Sequence, residues 1–258
     1  MKKLLLATVV GSAVLISACA SPRPYNRIDA NARPLIKSMD SVVMVKQSEI
    51  GSDIVVSNAT GAMGGGLIPA LIDAGVNSSR TKKAEEAIGP IRDKLIDYDF
   101  GAEVEKQLNT AFSGTTVSGL NNVKLMRAED PKYRENTVKA SGADAVMFID
   151  TTYKISANFD AVLATANVRV FPVSADLNAY KEKPDEDDKV VEPTDNIYRN
   201  TFMASAPLDL VSDMETNASD AANLPVDKYT MALDRAAKNL AEKIAADLMT
   251  DDDVTAEK

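Results

Sequence analysis

Residues 142–172, GADAVMFIDTTYKISANFDAVLATANVRVFP, carry the pattern that decides the predicted fold. The uninterrupted apolar run at 145–149 is typical of a strand covered on both faces, and apolar and polar residues then alternate. Alternation resumes over 162–170 and stops at Pro172, which cannot donate to a strand ladder. The pattern predicts a β-hairpin that turns near Asn158.

Helical periodicity elsewhere in the chain indicates what covers this hairpin. Segment 226–249 places its apolar residues on one stripe, which predicts an amphipathic helix docked on the sheet. Shorter helices are predicted after Thr81 and after Asp99, with further strands at 41–46, 123–126 and 197–206. We therefore expect an α/β fold: a single domain with a mixed sheet of about five strands packed by amphipathic helices. The stripe of the last helix consists of Tyr229, Leu233, Ala236, Ala237, Leu240, Ile244 and Leu248.

The N-terminus has the three parts of a secretion signal. A basic start at 1–3 precedes an apolar run at 4–16, which is shorter than the roughly 20 residues that a transmembrane helix needs. The run ends in Ile16-Ser17-Ala18-Cys19, which resembles the lipobox of bacterial lipoproteins. This resemblance implies cleavage between Ala18 and Cys19, and attachment of lipid to Cys19.

The lipoprotein resemblance also implies a location. Ala20, directly after the lipidated cysteine, favours sorting to the outer membrane, with the domain facing the periplasm. The membrane is then a partner through the lipid anchor alone, because two or three acyl chains, palmitate among them, hold a soluble domain on a bilayer. The alternative is an ordinary signal peptide cut nearby, which leaves Cys19 as a thiol.

Composition and local pattern predict the domain organisation. Residues 1–18 form the signal peptide, and the polar, proline-containing segment 19–39 is typical of a tether. The α/β domain is expected over 40–249, with a mobile acidic loop at 181–195. The acidic residues 250–258 are expected to be a disordered tail.

Composition also excludes several kinds of function. The chain has no histidine, which excludes Ser-His-Asp triads, Cys-His pairs and His-ligated metal sites. Its formal net charge of −9 argues against nucleic-acid binding and against electrostatic docking on anionic lipid head groups. Ser79 and Lys82 match an S-x-x-K pattern, but the accompanying Lys-Thr-Gly element is missing. We therefore predict no cofactor, no metal site and no enzymatic activity.

A glycine-rich stretch at 61–73 is the least ordinary segment of the sequence. It fits neither a dinucleotide-binding loop nor a P-loop, because Pro69 replaces a required glycine and no Gly-Lys-Ser/Thr follows. One interpretation is a flexible loop that leads into a buried helical turn. The other is a contact surface for a partner or the bilayer, since small residues let another backbone approach closely. The contact residues would be Gly64, Gly65, Gly66, Leu67, Ile68, Leu71 and Ile72.

The order of predicted elements resembles the α/β domain of envelope lipoproteins such as the curli-secretion lipoprotein and the activators of peptidoglycan synthases. The resemblance includes the run from Gly142 to Asp150 and contains no catalytic motif. It suggests a non-enzymatic accessory or docking component of an envelope assembly, with a protein partner in the envelope. The alternative is a lipoprotein carrier that binds a small or apolar ligand.

Overall fold

The computed structural model describes residues 25–45, 47–52, 86–127, 132–181, 195–211 and 213–249. Within these residues the chain forms one six-stranded mixed sheet packed by helices, with the C-terminal helix lying on the sheet. The predicted α/β class with a single domain is therefore confirmed. The predicted signal peptide, the glycine-rich stretch and the acidic tail lie outside the described residues.

The sheet has the strand order β3-β1-β4-β5-β6. β1 pairs in parallel with β3 and β4, β2 extends this pairing along β4, and β4, β5 and β6 are antiparallel. β4 and β5 are the predicted hairpin, whose register ends with Ile155 opposite Val162, so its turn surrounds Asn158 as predicted. The strands are β1 (Met39–Val45), β2 (Gly51–Ser52), β3 (Lys124–Met126), β4 (Ala145–Ile155), β5 (Ala161–Pro172) and β6 (Tyr198–Pro207).

Local signals explain where the helices begin. The Asp99 carboxylate accepts a hydrogen bond from the Ala102 N–H at 3.0 Å and caps α2. The Asp213 side chain caps α4, a helix that the sequence analysis did not predict. α5 has the predicted bounds, and its apolar stripe is buried except for the partly buried Leu248. The helices are α1 (described over 86–94), α2 (Phe100–Ala111), α3 (Tyr133–Ala140), α4 (Met214–Asn223) and α5 (Val226–Met249).

The two faces of the sheet are covered unequally. The face that we name the main face packs against α1, α2, α4 and α5 in one continuous core, which includes Val104 and Leu240. The opposite face, here the second face, is covered by α3 over a small cluster of four buried residues. That cluster consists of Val42, Val146, Phe148 and Phe171.

Helix side chains bind the backbone at both edges of the sheet. At β3 the Glu105 carboxylate accepts a hydrogen bond from the Leu125 N–H at 3.0 Å. At β6 the Lys243 ammonium donates to the Met203 carbonyl at 2.7 Å, while Asn26 forms an isolated antiparallel bridge with Arg199. These contacts occupy backbone groups that an additional strand would need for pairing.

The structure contradicts the predicted tether over 19–39. Residues 25–38 belong to the packed domain, because Ile28, Ala32 and Ile36 are buried in the main core. These three residues are spaced four apart, so that a compact turn at Arg33–Leu35 brings them to one side. The folded domain therefore includes residue 25 onward rather than starting at 40.

Candidate functional site

The site residues predicted from the sequence all lie outside the described residues. They are Ala18, Cys19, Gly64, Gly65, Gly66, Leu67, Ile68, Leu71 and Ile72. Tyr25 is the described residue nearest to Cys19 in the chain, and we name it the first attachment point. Ser52 and Glu86 are the described residues on either side of the glycine-rich stretch, and we name Ser52 the second attachment point. The geometry around these attachment points therefore defines the candidate site.

The first attachment point is held by a clasp of side chains. Asp247, near the end of α5, accepts a hydrogen bond from the Tyr25 hydroxyl at 2.9 Å and another from the Tyr198 hydroxyl at 2.6 Å. The two phenol rings pack edge to face with centroids 6.2 Å apart. Arg33 Nη1 also donates to the Leu248 carbonyl at 3.3 Å. We name this end of the molecule, formed by residues 25–37 and the C-terminal end of α5, the entry pole.

Burial keeps the phenols of this clasp in their donor form. It raises the pKa of Tyr198, and the hydrogen bond to Asp247 raises it further. The pKa of Tyr25 rises for the same two reasons. Both tyrosines are therefore protonated at neutral pH and donate to one carboxylate. The arrangement holds the chain entry against α5.

Sequence reasoning missed this pole entirely. Tyr25 and Arg33 were assigned to the tether, and Asp247 lies outside the apolar stripe of α5. Hydrogen-bond partners more than 200 residues apart leave no local pattern in a sequence. The one available signal was the spacing of Ile28 and Ile36 around Ala32, which indicates a buried helical turn.

Two grooves flank residues 25–37 at the entry pole. The larger has a volume of about 730 Å³ and lies between this segment, the loop after α2 and the end of α5. Buried Ile28, Ile36 and Met39 line it, and Arg33 and Lys37 bring positive charge to it. The smaller groove, of about 400 Å³, is lined in part by Tyr25, Arg27, Tyr180 and Lys181.

The second attachment point lies at the opposite end of the molecule, which we name the hairpin pole. β2 ends with Ser52 beside Ile155, immediately before the turn of the β4–β5 hairpin. Arg92 of α1 donates to the Ile50 carbonyl at 3.1 Å, and Lys94 donates to two carbonyls at the end of α4. The first residues of α5 are at this pole, and its 24 residues correspond to about 36 Å of helix.

A charged cluster joins α3 to the second face. Arg134 forms an ion pair with Asp150, and Tyr133 donates to the other oxygen of the same carboxylate at 3.0 Å. Burial, followed by the negative charge of Asp150, raises the pKa of Tyr133 to about 12. The Arg134 guanidinium also lies 5.9 Å from the centroid of the Phe148 ring. Because both carboxylate oxygens accept from α3, the cluster fastens this helix to the sheet.

The part of the chain that the structure describes contains neither a metal site nor a membrane-spanning helix. Among its residues, no three carboxylate or thiol side chains are grouped so that they could hold a metal ion. Its helices include none that is long and apolar enough to cross a bilayer.

No family model and no curated protein sequence matches the chain. Among solved structures, a PelC dodecamer variant from Paraburkholderia phytofirmans aligns at 10% identity and a TM-score of 0.28, covering 88% of this chain and 96% of that one. A second PelC dodecamer structure from the same organism gives 10% identity and a TM-score of 0.29, with 84% and 91% covered. Similarity this low bears on neither the fold nor the function.

Proposed function

We propose that the protein is a lipid-anchored, non-enzymatic lipoprotein of the outer membrane that serves as a docking component of an envelope assembly. This proposal rests on one observation, that the two attachment points lie at opposite poles of the domain. Tyr25, six residues after Cys19, is clasped at the entry pole, whereas Ser52 is at the hairpin pole. An anchor and a partner contact that leave from opposite poles can engage the membrane and another protein together.

This separation favours a protein partner over the bilayer for the glycine-rich stretch. A lipid on Cys19 holds the entry pole near the membrane, and about 36 Å of α5 separates the two poles. The contact residues Gly64 to Ile72 follow Ser52 along the chain, and Ser52 lies at the hairpin pole, away from the proposed anchor. The proposed partner is therefore a periplasmic protein or the periplasmic part of an envelope assembly.

Metabolic labelling tests the anchor. Labelled fatty acid should enter the wild-type protein and should not enter Cys19→Ala, because Cys19 is the only cysteine of the chain. The wild-type protein should also float with outer-membrane vesicles, while the variant is recovered in the soluble periplasmic fraction. Label in the alanine variant would refute lipidation at Cys19.

Crosslinking in the native envelope tests the docking role. The double variant Gly65→Val and Ile68→Ser should lose the crosslinked partner while its stability stays within about 1 kcal/mol of wild type, as for surface changes. A matched control, Thr152→Val with Met203→Ser, makes similar changes at exposed positions of the second face and should keep the partner. Unfolding of the first variant would instead assign Gly65 and Ile68 to the core.

The groove at the entry pole supports a second candidate function, that of a lipoprotein carrier for a small or apolar ligand. Its volume of about 730 Å³ is within the range of ligand sites, and buried Ile28, Ile36 and Met39 give it an apolar lining. Native mass spectrometry of the purified protein tests this role. A bound molecule that Ile36→Asp removes would favour the carrier function, and a ligand-free spectrum would count against it.

A further inference from the structure

The larger groove at the entry pole is lined mainly by apolar residues. Ile28, Ile36 and Met39 form its floor, where the main core reaches the surface. Leu248 and Met249, whose side chain is 40% exposed, line it at the end of α5. Of its fourteen lining residues nine are apolar, and the other five are Arg33, Lys37, Gly114, Thr115 and Thr116. An occupant of the groove therefore meets mostly apolar side chains.

The charged groups around this groove do not mark it as a site for an ion. Arg33 donates to a carbonyl at the end of α5 at 3.3 Å, and Lys37 lies close enough to Asp144 to help lower the pKa of that carboxyl. Asp29 and Asp247 lie at the same pole and add negative charge. Among the described residues, every buried side-chain nitrogen or oxygen that lacks a hydrogen-bond partner belongs to a residue outside the groove. The groove therefore presents neither an excess of positive charge nor a buried polar group in need of a partner.

The sequence segments that adjoin the groove are poorly suited to fill it. Residues 19–24, which precede Tyr25, contain no large apolar side chain. Residues 250–258, which follow Met249, contain Val254 as their one large apolar residue and four acidic residues. A carboxylate placed against an apolar floor without a partner is unfavourable. The best occupant therefore comes from outside the polypeptide.

A lipid acyl chain matches the groove. Such a chain is unbranched and has no hydrogen-bonding group along its length, so it needs neither a counter-charge nor a polar partner. Each methylene that leaves water for the groove adds to the binding free energy. Met39 and Met249 are themselves unbranched and adaptable, which suits them to a flexible ligand. The volume of about 730 Å³ is in the range of small-molecule sites.

The proposed anchor brings the groove to a source of acyl chains. This step rests on the proposed lipidation of Cys19. Ile28 of the groove follows Cys19 by nine positions, and nine extended residues span at most about 32 Å. The groove is therefore held within reach of the bilayer that receives the anchor. The lipids of that bilayer far outnumber the acyl chains on Cys19 itself, so a bilayer lipid is the favoured occupant.

We propose that this groove binds one acyl chain of a phospholipid drawn from the bilayer that anchors the protein. The chain lies against Ile28, Ile36 and Met39, and the head group stays outside the groove. The proposal gives the carrier function, the second candidate above, a ligand class and a source. It is also compatible with docking, because the hairpin pole stays free for a protein partner.

Photo-crosslinking in vesicles tests the proposal. The lipidated wild-type protein is reconstituted with phosphatidylethanolamine, phosphatidylglycerol and a phospholipid that has a diazirine in one acyl chain. After illumination, mass spectrometry should place crosslinks within 28–39, 114–120 and 248–249, the segments that line the groove. Met249→Asp puts a charge on an exposed lining residue and should lower the yield within 28–39 about tenfold. Met231→Asp, the same change at an exposed position of α5 outside the groove, should leave the yield unchanged.

A protein without its own lipid identifies the occupant. The Cys19→Ala protein should bind parinaric acid, a fluorescent fatty acid, at one saturable site. Ala30→Trp, which fills the groove from an exposed position, should weaken this binding about tenfold. Ala102→Trp, at the exposed start of α2, should leave it unchanged.

Four other outcomes would overturn the proposal. Probe binding by Cys19→Ala without crosslinks in the lipidated protein would assign the groove to the lipid on Cys19. Probe binding that appears only after removal of residues 250–258 would assign it to that segment. Absence of saturable probe binding, or crosslinks as frequent at Val211 of the hairpin pole as in the lining segments, would leave the groove without a lipid.

The labelling experiment separates this proposal from the anchor. Any of the four outcomes in a wild-type protein that takes up fatty-acid label and floats with vesicles would overturn the lipid site and leave the anchor intact. Loss of label and flotation would refute the anchor, and the bilayer as the source of the ligand with it. Saturable probe binding by Cys19→Ala, weakened by Ala30→Trp, would still support an acyl-chain site in that case.

Discussion

On the main face of the sheet four helices bury one continuous core, whereas the second face is covered only where α3 crosses it. Both faces are made by the same strands, so the unequal helix cover can be followed along one strand, β4, as a change from buried to exposed residues. Val146 and Phe148 of the second face are buried beneath α3, but Thr152, two positions beyond Asp150, is exposed. The end of an apolar run thus marks the end of a covering helix.

The largest expected effect comes from placing a charge in the main core. Leu240 is fully buried in α5, so Leu240→Asp buries a carboxylate without a partner and should cost several kcal/mol, against a total stability of about 5 to 15. Met231→Asp makes a similar apolar-to-acidic change in the same helix, but at a side chain 59% exposed. Thermal denaturation should show a large loss for Leu240→Asp and almost none for Met231→Asp. Equal melting temperatures would refute the docking of this stripe.

Removal of a buried ring compares the two faces directly. Phe112 of the main core and Phe148 of the second-face cluster are both nearly inaccessible to solvent. We expect Phe112→Ala to cost about 4 to 5 kcal/mol and Phe148→Ala about 3, because α3 can settle onto the smaller cavity. Urea denaturation of the two variants measures the difference. A greater loss at Phe148 would show that the second face is the less adaptable one.

Breaking the ion pair beneath α3 should have an intermediate effect. The Arg134 and Asp150 side chains are 23% and 14% exposed, between the surface and the interior. Asp150→Asn leaves the guanidinium without its counter-charge and should cost about 2 kcal/mol, between the values for exposed and buried pairs. In a double-mutant cycle with Arg134→Met, the losses should be less than additive. Additive losses would mean that the two side chains do not interact.

A smaller and pH-dependent effect is expected where α3 returns to the sheet. The Asp144 carboxylate accepts hydrogen bonds from the Ser38 hydroxyl and from two backbone N–H groups, which lower its pKa. A lowered pKa stabilises the fold above the pKa of the unfolded chain, near 4, and this contribution disappears as the pH falls through the folded value. Asp144→Asn should therefore cost about 1 kcal/mol at pH 7 and progressively less below pH 4. Urea denaturation of the wild type and the variant at pH 7 and below pH 4 measures this cost. A cost that is the same at both pH values would contradict the prediction.

The open part of the second face should tolerate substitution best. Met203 projects from β6 with 60% of its surface exposed. Met203→Ser should change stability by less than about 0.5 kcal/mol, as expected for a surface position. The same change at the neighbouring Phe202, which is 8% exposed on the main face, should cost several times more. Comparable denaturation midpoints for the two variants would show that the faces have been assigned incorrectly.

The sequence predicted the elements whose burial is periodic. The apolar stripe of α5 and the alternation in β5 are regular, so the sequence itself indicates which of their residues are buried. α4 was missed because its sequence is mostly polar and its buried residues are small, with Ala218 and Ala221 among them. The packing of residues 25–38 was missed because single apolar residues in a polar stretch gain a partner only through the tertiary fold.

The entry pole shows the limit of sequence reasoning more sharply. Its cations are spread from Arg27 to Lys181, and each is surrounded in the sequence by ordinary surface residues. Net charge is a sum over the chain and has no information about where folding brings charges together. The clasp at Asp247 could not be predicted either, because Tyr25, Tyr198 and Asp247 are far apart in the sequence and come together only in the fold.

The contacts of Glu105 and Lys243 with the outer strands have a consequence for crowding. Where copies of a protein meet at high concentration, open strand edges can pair with one another and seed aggregation. Here helix side chains already bind the Leu125 amide of β3 and the Met203 carbonyl of β6. Neighbouring copies therefore find these backbone groups occupied. Each outer strand is thus partly covered by a side chain of its own helix, which disfavours edge-to-edge pairing between copies.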